Sequence, residues 1–432
     1  MKVIILAGGE GKRMWPITEE KYLLPFLDKP LLYHNLKKIK DAINFDEVII
    51  VTKESSKDQV SQIASGLDIK HQIAIQAEPK GMADAVLSAQ DYINGEILVI
   101  NAEDVLEERV YQDVLTTASE TQADMVLAGL KVDKYFPGGY LRVEGEKVKG
   151  IAEKPGEGNE PSDLVKLVVD YFKDGKKLIE ILEKTISDND DVYEKSLDQV
   201  ISDGMDVRFS KYTGEWIPLK YPWQILDITG YFLSTIEQQI SSGAKISEKA
   251  IIEGKVVIED GVRVFEGVVI KGPCYIGKNC IVGNNSMVRE SNLEQGCVTG
   301  FNSDITRSYI GRNCWFHTNY IGDCVIEGDF GMGSGAVLAN LRLDNNSIRA
   351  GEEKMDTGRS KLGLIAGKGS RIGVNASIMP GVRAGANSLV GPGVVLHEDV
   401  KENTKIIVKQ EYQVSEHTPT LTSYDQFRDK LK

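Results

Sequence analysis

From Val3 to about residue 130, short apolar runs alternate with stretches in which apolar positions recur every three or four residues. The runs Val3 to Leu6, Glu47 to Thr52, Ile69 to Gln76, Glu96 to Ile100 and Met125 to Leu130 read as buried strands. Leu31 to Ile43, Asp58 to Ser65, Ala83 to Ile93 and Val110 to Ala118 carry helical spacing. This alternation predicts an α/β fold with a doubly wound, mostly parallel, Rossmann-like sheet, whose ligands bind beyond the carboxyl ends of its strands. Beyond 130 the segments become hairpin-like, and Trp223 to Gln239 reads as a closing helix.

At Ile252 the period changes. Ile252, Ile258, Val264, Ile270, Ile276, Val282 and Val288 follow in steps of six. The register resumes at Ile326, Met332 and Leu338, and again at Ala366, Ile372, Ile378, Ala384, Val390 and Leu396. Neither a helix nor a flat strand buries every sixth residue. A coil with three flat faces does, because one residue points inward at each face. The change of period divides the chain into a domain at 1–240, a linker at 241–250, a solenoid at 251–412 and a polar tail at 413–432.

Composition narrows the possible ligands. A net charge of -13 over 432 residues argues against nucleic acid or an anionic membrane as partner, so any phosphate site must be a local island of Lys and Arg. The five cysteines, Cys274, Cys280, Cys297, Cys314 and Cys324, contain no C-x-x-C, and neither zinc nor a disulfide framework is expected. Met1 opens directly into a strand and no apolar run approaches spanning length, which predicts a cytoplasmic protein.

The phosphate island is expected at Leu6-Ala-Gly8-Gly9-Glu-Gly11-Lys-Arg13-Met-Trp-Pro16, continued through Lys21 and Leu23-Leu-Pro25 to Lys29-Pro30. Three glycines let the backbone turn tightly with its amides exposed, as a phosphate cradle requires, and Arg13 and Lys21 add positive charge. No G-x-x-x-x-G-K-[ST] is present, so this is not a P-loop. The stretch resembles the signature of the sugar-1-phosphate nucleotidyltransferases, with Lys12 where Thr is usual and a segment two residues short, without its Pro, between Thr18 and Lys21. The resemblance implies that Leu6, Gly8, Gly9 and Gly11 bind nucleotide and that Arg13 and Lys21 are catalytic. Gln76-Ala-Glu-Pro-Lys-Gly81-Met82 is similar to the family's base-reading segment, which carries nucleotide contacts onto Gln76 and Gly81, with Met82 in place of Thr. Asp104 matches the ligand of Mg²⁺, a cation that favours carboxylate oxygen. Gly139, Glu153 and Lys154 match the sugar contacts, while the family's N-x-G, due near Lys166-Leu-Val168, is absent. Trp216-Ile-Pro218-Leu-Lys-Tyr-Pro222-Trp223 resembles W-x-D-x-x-x-P-W. Pro218 stands where a second metal carboxylate is expected, leaving Glu103 or Glu215 as substitutes.

The period-six half resembles the hexapeptide-repeat proteins, whose fold is a left-handed parallel β-helix and whose members are commonly trimers. Phe316-His317-Thr-Asn-Tyr320-Ile-Gly-Asp323, Gly333-Ser334-Gly335 with Asn340, and the polar loop Thr357 to Gly363 resemble the acetyltransferase half of the archaeal bifunctional glucosamine-1-phosphate acetyltransferase and N-acetylglucosamine-1-phosphate uridyltransferase family. The resemblance implies that His317 is the base taking the proton of the attacking amine, as an imidazole can near neutral pH. It further implies that Arg289, Tyr320 and Asn340 hold the amino sugar phosphate, and that Ser334 and Gly391 line the acetyl-CoA site. Thr306 and Asn346 stand where that family has phosphate-binding lysines.

The leading expectation is a homotrimeric enzyme of UDP-N-acetylglucosamine biosynthesis. It would use Mg²⁺, take UTP and N-acetylglucosamine-1-phosphate as first-choice substrates, and acetylate an amino sugar phosphate from acetyl-CoA. Two alternatives stay open: a single-activity nucleotidyltransferase, for instance a mannose-1-phosphate guanylyltransferase suggested by Met14-Trp15-Pro16, with the solenoid as an assembly device; and a non-catalytic regulatory paralogue, suggested by Lys12, Pro218, Thr306 and Asn346 together.

Overall fold

A computed structural model describes residues 1–187, 191–351, 353–418 and 428–431. In the first half, β1 (Lys2–Ala7), β2 (Glu47–Thr52), β3 (His71–Ile75) and β4 (Ile97–Asn101) run parallel, and Val48 to Val51 are buried on both faces as a covered parallel sheet requires. A short β5 (Asp104–Leu106) follows β4. β6 (Met125–Lys131), the hairpin of β7 (Gly139–Glu144) and β8 (Lys147–Glu153), then β9 (Leu164–Phe172) and β10 (Val207–Tyr212) complete a nine-stranded sheet in the order β3-β2-β1-β4-β9-β6-β10-β8-β7. β9 enters antiparallel to both β4 and β6, so the sheet is parallel on one side and mixed on the other.

Helices α1 (Leu31–Ala42), α2 (Lys57–Gly66), α3 (Met82–Ser88) and α4 (Arg109–Thr121) lie where helical spacing predicts them. α3 stops short of Ile93 and passes into one 3₁₀ turn at Gln90–Tyr92. Two further helices, α5 (Gly175–Lys184) and α6 (Val192–Ser202), cover the sheet beside β9; Asp174 caps α5 by accepting from the Lys176 N–H at 3.0 Å. β11 (Trp216–Pro218) pairs antiparallel with β5, placing Pro218 directly opposite Asp104. α7 (Ile225–Thr235) closes the domain after a 3₁₀ turn at Pro222–Gln224, ending short of the predicted Gln239 because Ile236 is extended.

The solenoid begins one coil before Ile252, since Ile240 and Ile246 already hold the six-residue register. Gln239–Ile240 already pair with Val257 and Ile258, and Lys245–Ile246 pair with Arg263 and Val264. The segment 241–250, read from sequence as a linker, is thus occupied by the first coil, with Ala244, Ile246 and Ala250 packed on its core. Coil stacks on coil to form a left-handed parallel β-helix with three flat faces. The first face runs from Gln239–Ile240 to Arg383–Ala384, and the third from Ile251–Glu253 to Val395–Leu396. The second consists of two groups of strands joined by bridges through Val298 and Trp315. All five cysteines are buried, free members of this core. Among the described residues, no group of three or more His, Cys, Asp or Glu side chains could hold a metal.

One insertion leaves the coils between Asn340 and Leu362. It folds as a small hairpin, Arg349–Ala350 against Met355–Asp356, and turns back along α7, where Arg359 pairs with Asp227. Ile348 and Ala350 join a shared hydrophobic cluster with Phe26, Phe232, Tyr309, Val325 and Ile365, by which the first domain lies along the first face. Of the expected tail, 413–418 is exposed and 419–427 and 432 lie outside the described residues.

Candidate functional sites in the cleft and on the solenoid edge

Beyond the carboxyl ends of β1 and β4, a cleft of about 470 Å³ is lined by the Gly8 to Arg13 loop, Lys21, Gln76, the Pro79 to Ala83 turn, Asn101, Glu103 and the start of α6. The loop turns at Gly11, whose φ of 64° lies in the left-handed region, directly before a 3₁₀ turn at Lys12–Met14. Gly8 sits so close to Gln76 that a Cβ there would meet Oε1 at 2.0 Å. Gln76 is 4% exposed and donates from Nε2 to the Gly81 carbonyl at 3.1 Å and to Asp84 at 2.8 Å. The predicted nucleotide loop and base-reading turn are therefore one assembly. Leu6, just before the loop, also lines the cleft.

Lys21 forms an ion pair with Glu103 at 2.5 Å, both side chains being largely buried. Arg13 is exposed and its guanidinium lies 5.7 Å from the Tyr221 ring centroid. Glu153 and Gly139 are partners across the β7–β8 hairpin, and a Cβ on Gly139 would stand 3.1 Å from Glu153 Oε2. Lys154 follows with a φ of 43° and pairs with Glu153 at 3.3 Å. Where the family's N-x-G is missing, Lys166 forms a buried ion pair with Asp170 at 2.7 Å, and Tyr193 donates to Asp170 at 2.9 Å. Sequence reasoning missed this pair, four residues apart where a different motif was looked for, and the α6 wall, because Tyr193 comes from farther along the chain.

Asp104 is 7% exposed. Burial pushes its carboxyl up to about 6, against the pull of the Lys220 ammonium and of the Trp216 and Asn101 side chains. A magnesium ion held by a pair of protein carboxylates does not fit this donor set. Pro218 offers no side-chain oxygen, Glu103 is committed to Lys21, and Glu215 is exposed, with its backbone N–H bonded to Glu107. Lys220, which motif reading passed over, is half-buried beside Asp104, and burial lowers its pKa.

The second set of predicted residues lies on the solenoid. His317 is exposed at the edge between the second and third faces, where its backbone is held by Asn319 and Ser303. Beneath it Gly300 has a φ of 69°, and a Cβ there would meet the His317 carbonyl oxygen at 2.4 Å. The same edge climbs coil by coil: Gly335 N–H bonds to Thr318, Asn375 to Ser334, and Gly393 to Val374. His317, Ser334 and Gly391 thus share one edge, spanning three coils or about 14 Å at ~4.8 Å per coil.

Tyr320 and Asn340 converge farther across the third face. A Cβ on Gly322 would come within 2.7 Å of the Tyr320 hydroxyl and 2.5 Å of Asn340 Nδ2. Asn340 donates to Asp323 at 2.5 Å, and Asp323 is gripped at 2.7 and 2.8 Å by Arg307. Arg289 lies lower on this face, paired with Asp304 at 3.0 Å. Asp323 and Arg307 are the connected pair that the motif comparison did not single out.

Residues 2–216 match the family model described as nucleotidyl transferase, and residues 255–290 match the one described as bacterial transferase hexapeptide (six repeats). The chain is 31% identical over 420 residues to the bifunctional protein GlmU of Methanocaldococcus jannaschii, covering 95% of this chain and 98% of that one. It is 30% identical over 422 residues to the protein of the same name from Methanococcus vannielii, with 95% and 98% covered. A bifunctional sugar-1-phosphate nucleotidylyltransferase/acetyltransferase of Sulfurisphaera tokodaii is 28% identical, with 93% and 98% covered.

Proposed function

Because the chain belongs to the family of the archaeal bifunctional GlmU proteins, we propose that it makes a nucleotide sugar in its first domain and acetylates an amino sugar phosphate on its solenoid. The observation that carries this reading is the convergence of the glycine loop, the Gln76 to Gly81 turn and Lys21 around one cleft.

In that cleft an oxygen of the sugar-1-phosphate forms a bond to the α-phosphorus of a nucleoside triphosphate, and pyrophosphate leaves with the electron pair of the broken α–β anhydride. Arg13 and Lys21 offset the charge that develops, Gln76 and Gly81 hold the base, and Gly139, Glu153 and Lys154 hold the sugar. A magnesium ion would have Asp104 as its one protein carboxylate here and would offset charge on the phosphates. On the solenoid edge His317 takes a proton from the amine as its nitrogen bonds the acetyl carbon, and the C–S bond breaks to release the coenzyme as its thiol, with Ser334 and Gly391 beside the coenzyme and Arg289, Tyr320 and Asn340 on the sugar phosphate. UTP, N-acetylglucosamine-1-phosphate, glucosamine-1-phosphate and acetyl-CoA are the substrates, and a trimer formed through the solenoid, working in the cytoplasm, is the assembly. Among the described residues no helix is long and apolar enough to cross a membrane.

Pyrophosphate release from UTP, dTTP, GTP and ATP, each with N-acetylglucosamine-1-phosphate, glucose-1-phosphate and mannose-1-phosphate, tests the first activity. Thiol release from acetyl-CoA with glucosamine-1-phosphate tests the second. Turnover of GTP with mannose-1-phosphate alone would replace the substrate assignment, and no turnover with any pair would leave a ligand-binding protein.

A further inference from the structure

Beside the cleft, at the β5–β11 pair, an acid and a base lie near each other without forming an ion pair. Asp104 is buried with Pro218 across from it, so the strand pairing that should supply a second carboxylate supplies none. Glu103 is spent on Lys21, and Glu215 is turned to solvent. Two residues beyond Pro218, the Lys220 ammonium rests 4.5 Å from the Phe136 ring centroid and 5.8 Å from that of Trp216. These rings leave it desolvated on one side, and Asp104 is its strongest electrostatic neighbour, followed by Arg13, which lines the cleft, and by Glu153 and Lys154. Among the described residues Lys220 enters no ion pair, and the buried Trp216 indole N–H has no partner other than the Asp104 carboxyl. A half-buried cation with no ion-pair partner, next to a buried carboxyl and to the cleft residue Arg13, is what a bound phosphate ester would satisfy.

We propose that the Lys220 ammonium is the fixed cation of this cleft, taking beside Asp104 the place a protein-held divalent ion would fill and binding the α-phosphate of the nucleotide directly. An ammonium supplies three donors and one positive charge from a position set by the fold, so sugar-nucleotide binding needs no divalent ion. The inference rests on the nucleotidyltransferase reading above and names the residue that does the metal's work in it.

Calorimetric titration of the full chain with UDP-N-acetylglucosamine, in EDTA and in magnesium, tests it; a diphosphate is chosen because a triphosphate brings its own metal. Wild type is expected to bind with affinities that differ by less than fivefold between the two conditions. In EDTA, Lys220→Met should lose fivefold or more, and Lys220→Arg should stay within fivefold of wild type. Lys220→Gln serves if circular dichroism shows the Met variant to be unfolded. A wild-type loss of fivefold or more in EDTA, or unaltered binding by Lys220→Met, overturns the proposal. GDP-mannose and dTDP-glucose are titrated alongside. If one of them binds and UDP-N-acetylglucosamine does not, the substrate assignment falls while Lys220 is judged on the ligand that binds. If none binds, both fall.

Discussion

The nucleotide cleft and the solenoid edge present their expected site residues in opposite ways. In the cleft, residues from distant segments lock one another: Gln76 under Gly8 and bonded to Gly81, Lys21 on Glu103, Glu153 against Gly139. On the edge, residues are brought together by stacking, and His317 stands in solvent with glycines and Ser334 above it. A doubly wound sheet makes its site concave by converging loops, whereas a single coil edge is flat. The cleft is concave within one chain, whereas the edge lies open at His317 and only its upper coils, at Val374 and Gly393, have Val408, Gln410 and Tyr412 as a cover. Trp315 is 55% exposed on the second face, while Val337 and Val395, 40% and 57% exposed, lie on the third, which leaves apolar surface beside the edge for such a cover.

The largest effect expected from this contrast is at His317. His317→Ala should lower acetyl transfer by on the order of 10²-fold or more, the usual share of a general base, and leave nucleotidyl transfer unchanged, because its exposed ring supports no packing. Acetylation that survives the substitution would remove His317 from the mechanism. Equal loss of both activities would show that the two sites are not separable in the way their geometry indicates.

A second substitution tests how far the cleft depends on the solenoid. Glu327, on the coil that follows His317, accepts from the Thr18 N–H at 2.8 Å, its hydroxyl at 2.7 Å and the Glu19 N–H at 2.7 Å, while its other oxygen accepts from the Lys368 N–H at 2.7 Å. Farther along the same loop, Trp15 donates to Glu402 at 3.1 Å, and the Arg383 guanidinium lies 4.4 Å from the Trp15 ring centroid. The loop that presents Arg13 and Lys21 is therefore clamped by the other domain. Glu327→Ala should slow nucleotidyl transfer by about tenfold through misplacement of these cations, with acetyl transfer within twofold of wild type. An unaltered nucleotidyl rate would mean that the loop is positioned by its own domain.

Much of this architecture was legible in the chain. The six-residue register and the strand-helix alternation come from local periodicity, and the structure reproduces both. What sequence did not show depends on long-range geometry. α6 reaches the cleft from far along the chain, and β9 slips in antiparallel between two parallel neighbours. Lys220 lies inside a motif but at a position without a consensus residue, so its role emerged only from Asp104, Phe136 and Trp216 around it. The solenoid starts one coil before the reading from Ile252, because Ile240 and Ile246 already hold the register while the Ser and Gly of the turn between them read as a linker.

The smallest expected effect lies where the two regions meet. Glu294, on the first face, accepts from the Asp28 N–H at 3.1 Å and from Asn292 at 3.0 Å. Burial pushes its carboxyl up to about 7, a shift that Asn292, the Asp28 N–H and Arg312 only partly oppose. A carboxyl whose folded pKa exceeds its ordinary value of 4.5 binds more protons in the folded state, so stability falls as pH rises from about 4.5 to 7. Glu294→Gln keeps an acceptor for Asp28 and Asn292 and removes the buried charge. At ~1.4 kcal/mol per pKa unit the gain above pH 7 is bounded at about 3 kcal/mol, or a few degrees in Tm for a chain of this size. Thermal unfolding should show the variant more stable than wild type at pH 8 and equal to it near pH 4.5. A variant that melts lower at both pH values would show that the carboxylate is needed at this interface, held there by Asn292, the Asp28 N–H and Arg312 against the cost of its burial.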